Sequence, residues 1–282
     1  MAENQTETPR NVDELIGYSV ADGIARIVIN SPSQGNALAA DMRDRLAERF
    51  DEASADLNVR AVILTGAGDR HFCTGAALGG PQKPGPARPE DAPERAAGDV
   101  ARMIQRGWQR LIASILDCEK PVIAAVNGTA AGGGSHLALA CDLVVMADTA
   151  KFIEVFVRRG IMPDAGGCYL LPRLVGIHRA KELMFLGEEC NAEAASRIGL
   201  VNRVVAAGNV DAEATAVATH LASLPTRAIA LTKALTNRSL ESSREQSFAD
   251  EAIFQDLIAH TSDMAEGIAA FRERRDPVFR GW

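Results

Sequence analysis

Three consecutive glycines, Gly132, Gly133 and Gly134, follow an apolar run from Val122 to Val126 and open a helical pattern of small residues; His136 stands two places beyond them. A strand that ends in glycines and turns into a helix presents backbone N–H groups to an anion. The residues themselves exclude three motifs. No lysine follows the glycines, as a P-loop needs. Leu137 stands where a dinucleotide fingerprint needs its third glycine. Ser135 is followed by His136 and Leu137, which breaks a G-x-S-x-G elbow. What remains is an oxyanion hole, since glycine lets backbone approach a ligand closely and the first turn of a helix carries unpaired N–H donors. Two such donors aimed at a carbonyl stabilise a developing enolate, each by about 3 kcal/mol. The same glycines also suit plain packing of a helix against a strand. A second donor is expected at another strand end, and "HFCTGAAL" (His71 to Leu78) is such a place, with Gly75 beside small residues.

Strands and helices must hold these groups. "GIARIVIN" (Gly23 to Asn30), "RAVILTGAG" (Arg60 to Gly68), "KPVIAAVNG" (Lys120 to Gly128) and "DLVVMAD" (Asp142 to Asp148) read as strands from their β-branched and apolar runs. Met42, Leu46, Phe50 and Ala53 recur at helical spacing, and Arg95 to Leu116 also reads as helix. Gly79 to Pro93 holds five prolines in fifteen residues and is expected to be a mobile loop. Beyond Leu200 four helices are expected, over 211–223, 226–239, 243–259 and 262–274. The organisation predicted is a disordered arm over 1–14, an α/β core over 15–205 built as a coil of similar turns, and a helical C-terminal region over 206–282.

The chain has 282 residues and is 47% hydrophobic, enough for a sizeable core. A net charge of −7 argues against nonspecific nucleic-acid binding, while leaving room for a local basic pocket. The five cysteines are odd in number and form no C-x-x-C, so neither a disulfide framework nor a zinc site is expected, and a reducing compartment is. The N-terminus is polar and acidic, unlike a secretory signal. The most apolar region, Pro121 to Ala147, is broken by Asn127, the glycines, His136 and Asp142, so it does not read as a membrane span. A cytoplasmic protein with no nucleic-acid or membrane partner and no metal is expected.

Taken together, "ARIVINSPSQGNAL", "AVILTGAGDRHFCTGAAL", "KPVIAAVNGTAAGGGSHLALACDLVVMAD", "FVRRGIMPDAGG", "LLPRLVG", "IGLVNRVV" and "EGIAAFRERRDPVF" make the chain, from about Tyr18 onward, resemble the crotonase (enoyl-CoA hydratase/isomerase) superfamily. The resemblance implies an α/β fold, a crotonase-like spiral of ββα turns with a C-terminal helical trimerisation region. It also implies self-association as a trimer or dimer of trimers. The ligand it implies is an acyl-CoA thioester, with coenzyme A as part of the substrate and no separate cofactor. Carried over by position, the oxyanion donors are the N–H groups of Ala76 and Gly133. Ser33, Gln34, Ala37, Gly75 and Ala76 would line the CoA groove. Phe271 and Arg274 match positions that reach a neighbouring subunit's CoA.

The sequence departs from the family's hydratases at both glutamates that hold water: the resemblance places them at His136 and Phe156, and the aspartate that often follows the oxyanion alanine is Ala77. Asp164, in "MPDAGG", matches a position that is a catalytic aspartate in several relatives, and these motifs look closest to the epoxyphenylacetyl-CoA isomerase-like subgroup. With Met162, Pro163 and Ala165 beside it, its charged form would be poorly solvated; it would otherwise be a cap on the helix starting near Gly166. His136 is the other candidate, as base or donor, or else as filler in the pocket wall. Glu154 is close to the missing glutamate, but strand alternation could turn it to another face. Asp142, Cys73 and Cys141 read as structural. An isomerase that moves a proton through a thioester enolate is therefore expected. The alternatives are a hydratase using Asp164 or His136 on water, and a non-catalytic acyl-CoA binder.

Overall fold

The computed structural model describes residues 11–77, 89–93 and 96–282, in which ten strands form two sheets. The larger sheet has the order β1 (Ile16–Ala21), β2 (Ile24–Ile29), β3 (Ala61–Gly66), β5 (Val122–Val126), β7 (Leu143–Ala147), β10 (Arg203–Val205), and the smaller has β4 (His71–Cys73), β6 (Thr129–Ala131), β8 (Lys151–Ile153), β9 (Glu189–Asn191). Only the β1–β2 and β8–β9 pairs are antiparallel. The central β5 is buried at every position, so it shows as an unbroken apolar run, whereas β2 alternates buried and partly buried residues.

Three times in succession a strand of the large sheet leads into a strand of the small one and then into helix. β3 and β4 precede α3 (Asp99–Ile104) and α4 (Arg110–Leu116), β5 and β6 precede α5 (Gly133–Leu139), and β7 and β8 precede α6 (Gly167–Leu186). This is the expected spiral of ββα turns. Because each turn places its second strand beside the previous one, the ends of β4 and β6 are neighbours, and so are the residues that follow them. On the outside lie α1 (Val12–Leu15) and α2 (Ala40–Ala55); Met42, Leu46, Phe50 and Ala53 are the buried stripe of α2, as their spacing predicts.

Two sequence-based boundaries differ in the structure. Residues 11–14 are not part of an arm: Asn11 caps α1, and Asp13 pairs with Arg45 and Arg49 of α2; residues 1–10 lie outside the described residues. The helix expected from Arg95 begins at Asp99, and a π-helical segment, Gln105–Gln109, separates α3 from α4. Most of the proline-rich stretch 79–93 falls outside the described residues. After α7 (Ala192–Arg197), the helix α8 (Val210–Ser223), first of the C-terminal helices, packs on β3 and β5, burying Val210, Ala214, Val217 and Ala218. The remaining three, α9 (Thr226–Arg238), α10 (Arg244–Ala259) and α11 (Ser262–Glu273), lie where their periodicity predicts.

One buried cation ties α9 to the core. Lys233 Nζ donates to the Ile115 carbonyl (2.8 Å) and the Lys120 carbonyl (3.3 Å) and pairs with Asp142 (2.8 Å), whose carboxylate also accepts from the Val122 N–H. Asp142 is therefore structural.

Candidate active site

Gly132 closes β6 with a left-handed φ of 54°, donating its N–H to the Ile153 carbonyl, and α5 starts at Gly133. A Cβ on Gly134 would stand 2.0 Å from the Cys73 carbonyl oxygen, and one on Gly133 would stand 2.6 Å from the Trp108 indole. Helix, strand end and indole touch only because these side chains are absent. As the first residue of its helix, Gly133 has an N–H with no intrahelical acceptor.

The strand end past β4 lies alongside. A Cβ on Gly75 would be 3.4 Å from the Gly133 nitrogen. Leu38 donates to the Gly75 carbonyl (2.8 Å) and accepts from the Ala77 N–H (3.1 Å), so backbone alternation turns the N–H of Ala76 away from Leu38. The segment before Leu38 is fixed by Asn36, fully buried at φ 54°. Its carboxamide accepts from the Ser31 N–H and donates to the Ala67 and His71 carbonyls. Ser33 and Gln34 are exposed on a 3₁₀ turn, Pro32–Gln34, and Ala37 is buried. The structure thus brings the 33–37 segment, Gly75, Ala76 and Gly133 to one place.

His136 and Phe156, the two positions at which the resemblance implies glutamates, lie face to face, with ring centroids 5.2 Å apart and planes 10° from parallel. His136 is 0% exposed, and its Nε2 lies 2.8 Å from Oε2 of Glu154, itself 3% exposed. Its Nδ1 is buried without a partner, and Gly167 backbone closes the Nε2 edge, since a Cβ there would sit 2.2 Å away. Glu154 escapes strand alternation because β8 ends at Ile153; one residue later the chain is free to turn the carboxylate inward.

Asp164 is partly buried ahead of α6. Gly166, not Asp164, holds the N-cap position, and no side-chain cap bond is made there, which removes the capping explanation. Its charge acts on Arg43 of α2, whose guanidinium lies 5.4 Å from the centroid of the Trp108 ring. Burial pulls the Arg43 guanidinium below its ordinary value, and the charges of Asp44, Asp164 and Asp41 oppose that pull. Gly133, Trp108 and Arg43 therefore follow one another in space, and the Asp164 charge is one of three that act on the last.

An enoyl-CoA hydratase/isomerase family profile matches residues 19–281. The chain belongs to that family. It is 35% identical over 268 residues to 1,2-epoxyphenylacetyl-CoA isomerase of Escherichia coli, covering 95% of this chain and 99% of that one. To crotonyl-CoA hydratase of Syntrophomonas wolfei it is 36% identical over 256 residues, covering 91% and 94%. The crystal structure of an enoyl-CoA hydratase from Bacillus anthracis matches with a TM-score of 0.84 at 31% identity, covering 95% of this chain and all of that one.

In this enoyl-CoA hydratase/isomerase family member, Phe271 and Arg274 stand apart from the rest. Phe271 is 85% exposed on α11 and Arg274 is its left-handed C-cap, so within one chain neither meets the site. Cys73 and Cys141 are buried; burial pushes the Cys73 thiol up to about 12 and the Cys141 thiol higher still, which suits core residues rather than nucleophiles. Among the described residues no group of three His, Cys, Asp or Glu could hold a metal, and no helix is long and apolar enough to cross a membrane. Trp108 and Arg43 are absent from the sequence-based site. Only the lone tryptophan in a polar helical stretch, "IQRGWQR", could have pointed to the first, and nothing in the α2 pattern marks the second.

Glu154→Leu would leave both ring nitrogens of His136 buried and unpartnered. Stability is expected to fall by about 2 kcal/mol, measured by urea unfolding, with Glu154→Gln costing less. Equal stability of Glu154→Leu and wild type would show that the pair is not formed.

Proposed function

We propose that the chain is an acyl-CoA isomerase that shifts a proton, and with it a double bond, through a thioester enolate. The N–H groups of Ala76 and Gly133 hold the thioester oxygen. The Asp164 carboxylate takes a proton from one carbon, the electron pair passes into the carbonyl, and the same group returns the proton to another carbon. Mass is conserved and no water enters.

The observation that carries this reading is the stacked pair of His136 and Phe156. At the two positions where the family's hydratases are expected to hold water between carboxylates, this chain has two packed rings, one of them locked to a buried glutamate. Hydration asks for two groups to position and split water, whereas isomerisation asks for one carboxylate beside an oxyanion hole. The 35% identity to an epoxyphenylacetyl-CoA isomerase is in keeping with it.

A panel of 2-enoyl-, 3-enoyl- and ring-epoxide acyl-CoA substrates, followed by absorbance and mass, is expected to show conversion without gain of water. On the best substrate Asp164→Asn should lower kcat by about 100-fold or more, as loss of a general acid/base does. His136→Gln should cost about tenfold, through the shape and polarity of the pocket wall. Products heavier by one water, with His136→Gln inactive and Asp164→Asn near wild type, would reverse the roles in favour of a hydratase. Binding without any turnover would make the chain a carrier.

The oxyanion assignment has its own test. Proline fits the first position of a helix and removes the Gly133 N–H, but its Cβ would press on Trp108. Gly133→Ala adds a Cβ and keeps the N–H. Gly133→Pro is therefore expected to fall at least about 100-fold below Gly133→Ala in kcat, with thermal unfolding followed for both; equal rates would remove Gly133 from the hole.

The same reading makes the active form a trimer or dimer of trimers, with Phe271 and Arg274 reaching the CoA of a neighbouring subunit. In support, Phe248, Ile253 and Leu257 of α10 and Ile268 and Phe271 of α11 are exposed apolar residues on a single chain. Light scattering at micromolar concentration is expected to give a trimer or hexamer, and Arg274→Ala to weaken CoA binding. A monomer, or unchanged CoA affinity, would contradict it.

A further inference from the structure

Arg43 is unlike its neighbours on α2. Arg45 pairs with Asp13, Glu48 and Glu52, and Arg49 with Asp13 and Glu52. Arg43 makes no ion pair within 4 Å among the described residues, its Nε is buried without a hydrogen-bond partner, and its guanidinium lies over the face of Trp108. Of the three acidic groups whose charges act on it, Asp41 accepts from the Met42 N–H at the start of its own helix and Asp44 lies 4.0 Å from Arg110. Asp164 is the third.

A partly buried guanidinium whose Nε is closed off without a hydrogen-bond partner is costly to keep. Its five N–H donors in a fixed fork match a carboxylate or a phosphate, and of the two a carboxylate is the group that an acyl chain can carry at its end; one guanidinium has donors for two carboxylates on different edges. Position completes the argument. Trp108 touches Gly133 with its ring and carries Arg43 on its face. Arg43 therefore stands one indole ring away from the backbone at which the thioester carbonyl is proposed to sit.

We propose that Arg43 is the specificity-determining residue of the acyl pocket and takes a carboxylate carried at the far end of the acyl group. The substrate class is then a dicarboxylic acid bound to CoA through one end. This rests on the acyl-CoA site proposed above, with the carbonyl at Gly133, but not on which reaction follows.

The experiment uses ligands that cannot react: hexanoyl-CoA, adipoyl-CoA and 6-hydroxyhexanoyl-CoA, which share a six-carbon chain and are saturated. Dissociation constants are measured by calorimetry for the wild type, Arg43→Met and Arg43→Gln. The wild type is expected to bind adipoyl-CoA at least about tenfold more tightly than hexanoyl-CoA, a difference that one charge-assisted pair supplies. That ratio should fall to one or below in both variants. Using two variants guards against misfolding in one, and hexanoyl-CoA binding reports whether the pocket survives. A wild-type ratio of one overturns the proposal whatever the variants do, and so does a ratio that persists without Arg43. Equal binding of 6-hydroxyhexanoyl-CoA and adipoyl-CoA overturns it too, since a neutral oxygen would then suffice. Because nothing turns over, failure of the isomerase reading leaves the ratio intact, and failure of the ratio leaves isomerisation untouched.

Discussion

The site depends on how closely α5 approaches the end of β4. With the Cys73 carbonyl 2.0 Å from where a Cβ of Gly134 would be, no other residue fits without parting the two elements. That contact sets Gly133 beside Gly75 and gives Trp108 a flat surface to lie on. The indole in turn carries Arg43. Each later contact assumes the earlier one, so a methyl group added at the first would be felt throughout the series.

Charge is handled in two ways around this scaffold. Away from the site, Lys233 is buried, with the Ile115 and Lys120 carbonyls and the partly exposed Asp142 carboxylate taking up its donors, and the same Asp142 oxygen accepts from the Val122 N–H. His136 and Glu154 are also paired away from solvent, through Nε2 alone, with the His136 Nδ1 left without a partner. Arg43 and Asp164 differ, being only partly buried, and neither makes a side-chain ion pair among the described residues. Buried groups that satisfy one another hold a shape, whereas groups left without partners are available to a ligand.

The fold was legible because its core strands and amphipathic helices follow plain periodicity: Val122–Val126 is uniformly apolar, and Met42, Leu46, Phe50 and Ala53 mark one helical face. The short strands β6 and β8, three residues each, carry too little pattern to be seen alone. Gly133 and Gly75 could be picked out as glycines at strand ends. Arg43 could not, because a helix position shows its neighbours along the chain and not Trp108, sixty-five places away. Alternation cannot place Glu154, because β8 stops at Ile153, one residue before it. The π-helical turn that presents Trp108 has no signature in residue types at all.

The stack of His136 on Phe156 bears on how such a site could change over evolutionary time. Restoring a carboxylate at position 136 alone would set it against Glu154 in a place closed to solvent, where two like charges cannot both persist. A carboxylate at 156 alone would face an imidazole already committed elsewhere. The consequence of a carboxylate at position 136 thus depends on which residue stands at 154, so these positions are expected to be coupled.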